Sequence, residues 1–385
     1  MEDSTQQPKV EIMTNQTSNT AASATTKFGL ALFKEEARQN KGKNVLVSPA
    51  SVAIALAMTM NGARSTTLAA MQSTLGFSEN ESLETINASM AALLAALTDP
   101  SSGVELNVAN AIWAEQSMSF KPDFLNRVVA AYQATINNAD FGDAGTVDAI
   151  NAWADEKTKG KIPTIIKSIS PDMVMFLLNA IYFKGKWSEA FDKSMTYSRA
   201  FNSEEGEVSA MFMNREAELR YVGNKSYQAV ALPFGASGRV VLYVVLPAEG
   251  AKIDDFVQNF DGAVFAALKQ AYKSEVELSL PRFQVEFDTD LKASLGKLGM
   301  SEALSAGADL SGLADASMYI SQVKHKTFAR FDEDGGEAAA VTAVGVALEC
   351  VRMVPRIDVD RPFVAALVDE TTDTLLFIGK VSTPE

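Results

Sequence analysis

The stretch DEDGGEAAAVTAVGVALECVRMVPRIDVDRP, Asp332 to Pro362, decides how the rest of the chain is read. It opens on three carboxylates followed by Gly335 and Gly336, runs through small residues from Ala338 to Val346, and reaches a proline at Pro355. No helical period fits its apolar residues, although the alanines alone favour helix. The β-branched residues and flanking glycines instead suit a strand-competent loop. As a strand, one face would carry Gly336, Ala338, Ala340, Thr342, Val344, Val346 and Leu348. That face is uncharged and small at its start. The other face carries Glu337, Ala339, Val341, Ala343, Gly345 and Ala347, so the one charge points outward. A segment able to slide into a sheet needs this pattern; a low-complexity linker is the plainer alternative.

Working outward, 385 residues allow two or three domains on length alone. Hydrophobic content is 47%, enough for a large core, and no Pro/Gly/Ser-rich linker or internal repeat divides the chain. We therefore expect residues 26–385 to form one domain, preceded by a disordered polar tail over residues 1–25, with the first helix starting near Thr26. Helix-period segments fill the first part and recur to about residue 165, whereas runs such as VVLYVVLP (Val240 to Pro247) dominate later. That mixture suggests an α+β fold, not regular βαβ alternation.

The net charge is −14, and no basic stripe interrupts it. A nucleic-acid or heparin-type partner is not expected, and the acidity is read as solubility. No apolar run reaches the ~18 residues of a membrane span, so no membrane partner is expected either. Cys350 is the one cysteine, so no intrachain disulfide can form. With no apolar leader core in residues 1–25, the cytoplasm is favoured, and secretion stays open if a leader has been removed.

An enzyme is disfavoured. A Ser-His-Asp or Cys-His site would have to use His325, the one histidine, and Cys350 would be its only thiol partner. That cysteine lies in the suspected loop, where a rigid site is hard to hold. No Walker loop, G-x-G-x-x-G or C-x-x-C is present, so no cofactor is expected. DEDGGE (Asp332 to Glu337) has a superficial likeness to a calcium loop but lacks EF-hand spacing, and no metal site is expected.

Six further strings place the opening stretch in context. They are NVLVSPASVAIALAMTMNGARSTT (Asn44 to Thr67), LNVANAIWAEQ (Leu106 to Gln116), INAWADEKTKGKIPTII (Ile150 to Ile166), FLLNAIYFKGKWSEAFD (Phe176 to Asp192), LSLPRFQVEFDTDLKASLGKLGM (Leu278 to Met300) and DRPFVAALVDETTDTLLFIGKV (Asp360 to Val381). In this order and spacing the chain resembles the serpins, a family of protease inhibitors, over nearly its whole length. The resemblance implies three β-sheets, about eight or nine helices, and an exposed reactive-centre loop over about residues 333–356. The first string would hold the family's second helix, the second a central strand, and the third a helix crossing the main sheet. It also implies a monomer that traps a serine protease as a suicide substrate. A non-inhibitory serpin acting as carrier, chaperone or storage protein is the alternative. Bulky or charged inward residues between Gly336 and Val344 would favour that alternative, and there are none.

Carried over position by position, the resemblance makes Glu333, Gly335, Gly336, Glu337, Ala338, Ala339, Ala340 and Thr342 the hinge. Arg282 matches a basic residue facing Glu333, a partly exposed pair worth ~0.5–1 kcal/mol. Trp187 lies nearby, in a position also explained by packing. Ser48, Ser51, Asn179 and His325 match a polar cluster beneath the opening sheet, where a re-pairing hydrogen-bond network could act as a gate. Gly336 departs from the threonine or serine usual in inhibitory hinges. Family loop length, counted from Glu333, places the reactive bond between Glu349 and Cys350, and the segment after it resembles ovalbumin-type serpins. The target would then be a glutamyl-specific or granzyme-B-like protease with a basic pocket. A trypsin-like enzyme cutting between Arg352 and Met353 ranks second, and an elastase- or subtilisin-like cut at Leu348 or Cys350 third.

Overall fold

The computed structural model describes residues 7–170, 173–315, 318–336 and 354–384, with side chains from residue 20 onward. Its helices are α1 (Gln7–Gln39), α2 (Pro49–Met60), α3 (Ser65–Leu75), α4 (Leu83–Leu97), α5 (Pro122–Tyr132), α6 (Ala144–Lys157), α7 (Ile253–Gln258), α8 (Ala263–Gln270) and α9 (Lys292–Leu295). Among the described residues fifteen strands form two hydrogen-bonded networks.

The larger network runs β1 (Val45–Val47), β15 (Thr374–Val381), β14 (Phe363–Asp369), β8 (Val240–Pro247), β7 (Tyr227–Pro233), β6 (Gly206–Gly223), β9 (Lys273–Pro281) and β13 (Arg356–Asp358), with β5 (Tyr197–Ser203) on β6. Strands β8, β14 and β15 are buried along their whole lengths. Their unbroken apolar runs are what a strand covered on both faces requires. The 18-residue β6 pairs with β7 at its end and with β5 and β9 before that. Two of the three expected sheets are thereby joined through one strand.

The second sheet, here the central sheet, runs β10 (Phe283–Asp290), β11 (Gln322–Phe331), β4 (Met175–Lys186), β2 (Val104–Glu115) and β3 (Thr135–Ala139). A two-residue strand, β12 (Gly335–Gly336), also pairs with β4. In β4 the pleat sorts side chains by period two. Leu177, Ile181 and Phe183 join the main core, whereas Phe176, Leu178 and Ala180 face a second cluster built with Ile150, Trp153, Ile165 and Ile166. α2 is wholly buried and packs on β2 and β4 of one sheet and β15 of the other. Pro49 opens it, where a missing N–H costs nothing.

Two expectations need correction. α1 starts at Gln7, not near Thr26, and Ala21, Ala22, Ala24 and Thr25 are buried in it. Small side chains there let Ala24 lie against Gly76, at the C-cap of α3, with no room to spare for a Cβ on the glycine. Such residues carry no apolar period, so the sequence reads as tail. Of Ile150 to Ile166, only the part to Lys157 is helix. Left-handed Lys159 and Gly160 turn the chain, and residues 158–166 run on as an irregular strap held on Asn151.

Candidate functional site

The site is the seam between β4 and β11, with the hinge turn above it and a polar cluster across it. β11 pairs with β4 in parallel from Gln322–Phe176 to Thr327–Ile181. Beyond that pair the strands no longer bond to each other. β11 ends at Phe331, and Asp332 and Gly335 exchange both backbone hydrogen bonds, at 3.0 and 3.1 Å, in a tight hairpin. The chain therefore doubles back, and Gly336 and Gly335 pair antiparallel with Gly185 and Lys186 of β4.

The hairpin is held at every carbonyl. Trp187 Nε1 donates to Asp332 O at 2.8 Å, the Phe191 amide donates to Glu333 O at 2.9 Å, and the Trp187 amide donates to Asp334 O at 3.2 Å. The Trp187 ring stacks on Phe234 with centroids 4.3 Å apart, so Trp187 is both packing and donor. Lys193 adds an ion pair with Asp334 at 2.7 Å.

The Glu333 side chain turns inward and is 2% exposed, against 39% for Arg282. The guanidinium grips both carboxylate oxygens, with Nε at 2.8 and 2.9 Å and Nη2 at 2.6 Å. Burial works to raise the Glu333 pKa, but hydrogen bonds, that from Arg282 foremost, outweigh it and hold the carboxyl below its ordinary range. The partly exposed pair expected from sequence is a bidentate one whose carboxylate is the buried partner.

Both hinge glycines stand where an added Cβ would meet a neighbour, backbone at Gly335 and the edge of the Phe183 ring at Gly336. Gly335 has φ +128°, and a Cβ there would lie 2.3 Å from Gly185 O. A Cβ on Gly336 would lie 2.8 Å from the ring of Phe183. The departure from threonine at Gly336 therefore has a local cause: the ring fills the space a side chain would use.

Below, Ser48, Ser51, Asn179 and His325 are brought together, none more than 2% exposed. His325 and Asn179 are direct partners across the seam. The Ser48 amide donates to His325 Nε2 at 3.1 Å, so Nδ1 carries the proton and donates to Asn179 Oδ1 at 3.0 Å. Burial drives the imidazole pKa down to about 3, against a small opposing pull from Asp288, so the ring is neutral. Asn179 Nδ2 donates to Ser51 Oγ and to Asn110 Oδ1, the latter at 2.7 Å. Ser48 Oγ donates to Leu376 O at 2.7 Å, tying the cluster to the other sheet. Asn110, on β2, is the member that sequence reasoning missed.

Glu337, Ala338, Ala339, Ala340 and Thr342 of the hinge lie outside the described residues. So do Glu349 and Cys350, and the alternative Arg352 and Met353. Among the described residues no group of three or more His, Cys, Asp or Glu is placed to hold a metal ion.

With this geometry in hand, comparisons with known proteins are specific. The model of the family described as "Serpin (serine protease inhibitor)" matches residues 23–384. Serpin B6 of Macaca fascicularis is 34% identical over 374 residues, covering 94% of this chain and 99% of that protein. The native-state crystal structure of the thermophilic serpin tengpin superposes with TM-score 0.86 at 33% identity, covering 95% of this chain and 94% of that one. Human thyroxine-binding globulin, solved in complex with thyroxine, gives TM-score 0.88 at 28% identity over 96% of this chain and 99% of that one.

Proposed function

Because the chain belongs to the serpin family of serine protease inhibitors, we propose that it inhibits a serine protease as a suicide substrate whose cut loop enters the seam between β4 and β11. The protease serine attacks the Glu349 carbonyl, the Glu349–Cys350 C–N bond breaks, and the Cys350 amine takes the leaving proton. The acyl-enzyme then travels with the loop as it adds a strand to the sheet.

The observation that carries this reading is the antiparallel start already made by β12 on β4. Extended downward in register from Gly336–Gly185, it sets Ala338 opposite Phe183, Ala340 opposite Ile181, Thr342 opposite Asn179, Val344 opposite Leu177 and Val346 opposite Met175. Of these β4 residues, Met175, Leu177, Ile181 and Phe183 belong to the main core. The uncharged face of the loop would thus be the buried one. Glu337 would fall opposite the exposed Lys184. Thr342 would land between Asn179 and His325, so their bond must open and a hydroxyl is at hand for the freed groups. From Gly336 to Glu349 such a strand spans roughly 46 Å at ~3.3 Å per residue.

Thyroxine-binding globulin has a similar fold and was solved in complex with thyroxine. Fold likeness alone therefore does not choose between inhibitor and carrier. The small, uncharged inward face of the hinge favours the inhibitor. For the target we favour a protease with a basic pocket reading Glu349, of the glutamyl-specific or granzyme-B-like kind.

The test is incubation with a glutamyl endopeptidase, trypsin and elastase, with the covalent complex sought on a denaturing gel and the released C-terminal peptide weighed. A complex releasing a peptide that begins at Cys350 is expected. A trypsin complex releasing one that begins at Met353 overturns the register. A loop cleaved by all three with no complex overturns inhibition.

A further inference from the structure

The outer face of the central sheet carries the strap that follows α6. Thr158, the C-cap of α6, donates its hydroxyl to Ala154 O at 2.7 Å and accepts from the Ile162 amide at 2.9 Å. Lys159 then adopts φ +53° and Gly160 φ +82°. Glycine takes this backbone freely, whereas a lysine does so at a cost and is found there when its surroundings impose it. The strap beyond is held on α6. Asn151 Oδ1 accepts from the Ile165 and Ile166 amides at 2.8 and 3.1 Å, and Asn151 Nδ2 donates to Ile166 O at 3.0 Å.

The left-handed turn has a consequence for the seam. Lys159 Nζ pairs with Glu105 of β2 and lies 5.8 Å from the ring centroid of Tyr182 on β4. Two residues on, Lys161 Nζ lies 5.7 Å from the ring centroid of Phe328 on β11. Tyr182 and Phe328 are the positions just past the last bonded pair, Ile181–Thr327. They share the outer face with Ala180 and Lys326, whose ammonium reaches up to Thr164 O at 3.2 Å. The strap thus stands over the point where the seam first opens, with one cation on each side.

We propose that Lys159 and Lys161 form a latch across the seam, each ammonium holding a ring of one of the two strands that must part, and that the latch sets how fast a strand enters. This rests on the insertion reading above and adds its rate control. An entering strand moves β4 and β11 from ~4.8 Å to ~9.6 Å apart. The Cα atoms of residues 159 and 161 are joined by only two peptide units, at most ~7 Å. Parting the rings by a further strand spacing stretches both lysine stems over the seam at a cost in rotamer freedom, so the two contacts resist the parting, with Gly160 as the swivel. A cation on a ring at an exposed site is of a size to change a rate two- to fivefold when lost.

The experiment uses the intact protein and a synthetic peptide with the sequence of residues 336–348, GEAAAVTAVGVAL, which competes for the same place in the sheet. Its uptake is followed on native gels. Lys159→Ala and Lys161→Ala should each take up peptide two- to fivefold faster than the unaltered chain. Lys161→Met, which keeps the apolar stem, should behave as the alanine variant, and Lys161→Arg should restore the original rate. Once peptide-bound, all should melt alike, because the latch is already open in that state; a merely structural lysine would shift that melting too. If the unaltered protein takes up no peptide, the insertion reading itself fails. If it takes up peptide while both alanine variants are unchanged or slower, the latch is overturned and the insertion reading stands.

Discussion

His325 is neutral because it is buried between two partners that fix its tautomer, and this gives the molecule a defined response to acid. Its folded pKa is about 3, below the ordinary 6.5. An unfolded chain takes up a proton that the folded one refuses, so stability is lost as pH falls below ~6.5 and goes on being lost toward 3. Above ~6.5 this residue contributes no pH dependence. The slope is at most ~1.4 kcal/mol per pH unit for one proton. Unfolding rates measured from pH 7.5 to 5 should rise more steeply for the natural chain than for His325→Asn; parallel profiles would contradict the buried neutral ring. Glu333 gives a further expectation. Glu333→Lys removes the buried partner of Arg282 and sets two cations together, at a cost of ~2 kcal/mol or more. The hinge should then leave β4, and mild heating should give loop–sheet polymers or a latent form on size exclusion far sooner than for the natural chain. A variant that stays monomeric and active as long would count against the restraint. Ser48, Ser51 and Asn179 were legible because they sit in recognisable strings, and His325 because it is the one histidine, eight residues before Glu333. Asn110 was not, because an asparagine in a strand reads as solvent-facing. It is buried because β2 lies inside a sheet covered on both faces.

At the scale of elements, what could be read was what carried an unbroken period. β8 stands where its apolar run places it, and β2 and α2 stand where the resemblance places a central strand and the second helix. The start of α1 and the strap after α6 were hidden for opposite reasons. The helix start buries alanines and a threonine of the kind found in polar tails. The strap was read as helix on the resemblance although Gly160 and Pro163 break one, and left-handed Lys159 and Gly160 turn it. β12 could not be foreseen either, since two glycines have no strand propensity and pair only because Trp187 and Arg282 fold the hairpin back. The direction of β12 makes a prediction. In its extended register Ala340 meets Ile181 on the core face, so Ala340→Arg would bury an unpaired charge. The variant should be cleaved at the reactive bond as fast as before yet release an active protease, with the covalent complex reduced to a minor product. An undiminished yield of complex would place that residue on the outer face and break the register.

For the whole molecule, the arrangement implies a fold short of its most stable state. Above Thr327–Ile181 the central sheet has an open seam between two long strands, occupied only by two glycines among the described residues. Filling it adds about a dozen ladder hydrogen bonds at ~1 kcal/mol each, together with apolar burial, a driving force on the order of 10 kcal/mol. On the reading proposed above, the native form is kept by barriers: the Glu333–Arg282 grip, the Asn179–His325 bond and the strap over the seam. The most direct measurement of that claim needs no knowledge of the physiological target. The loop is nicked between residues 337 and 353 by any protease that does not form a complex, and thermal unfolding of the nicked and intact proteins is compared. Loop insertion predicts that the nicked protein melts tens of degrees higher, although a bond has been cut. A nicked protein that melts at or below the intact temperature would contradict it.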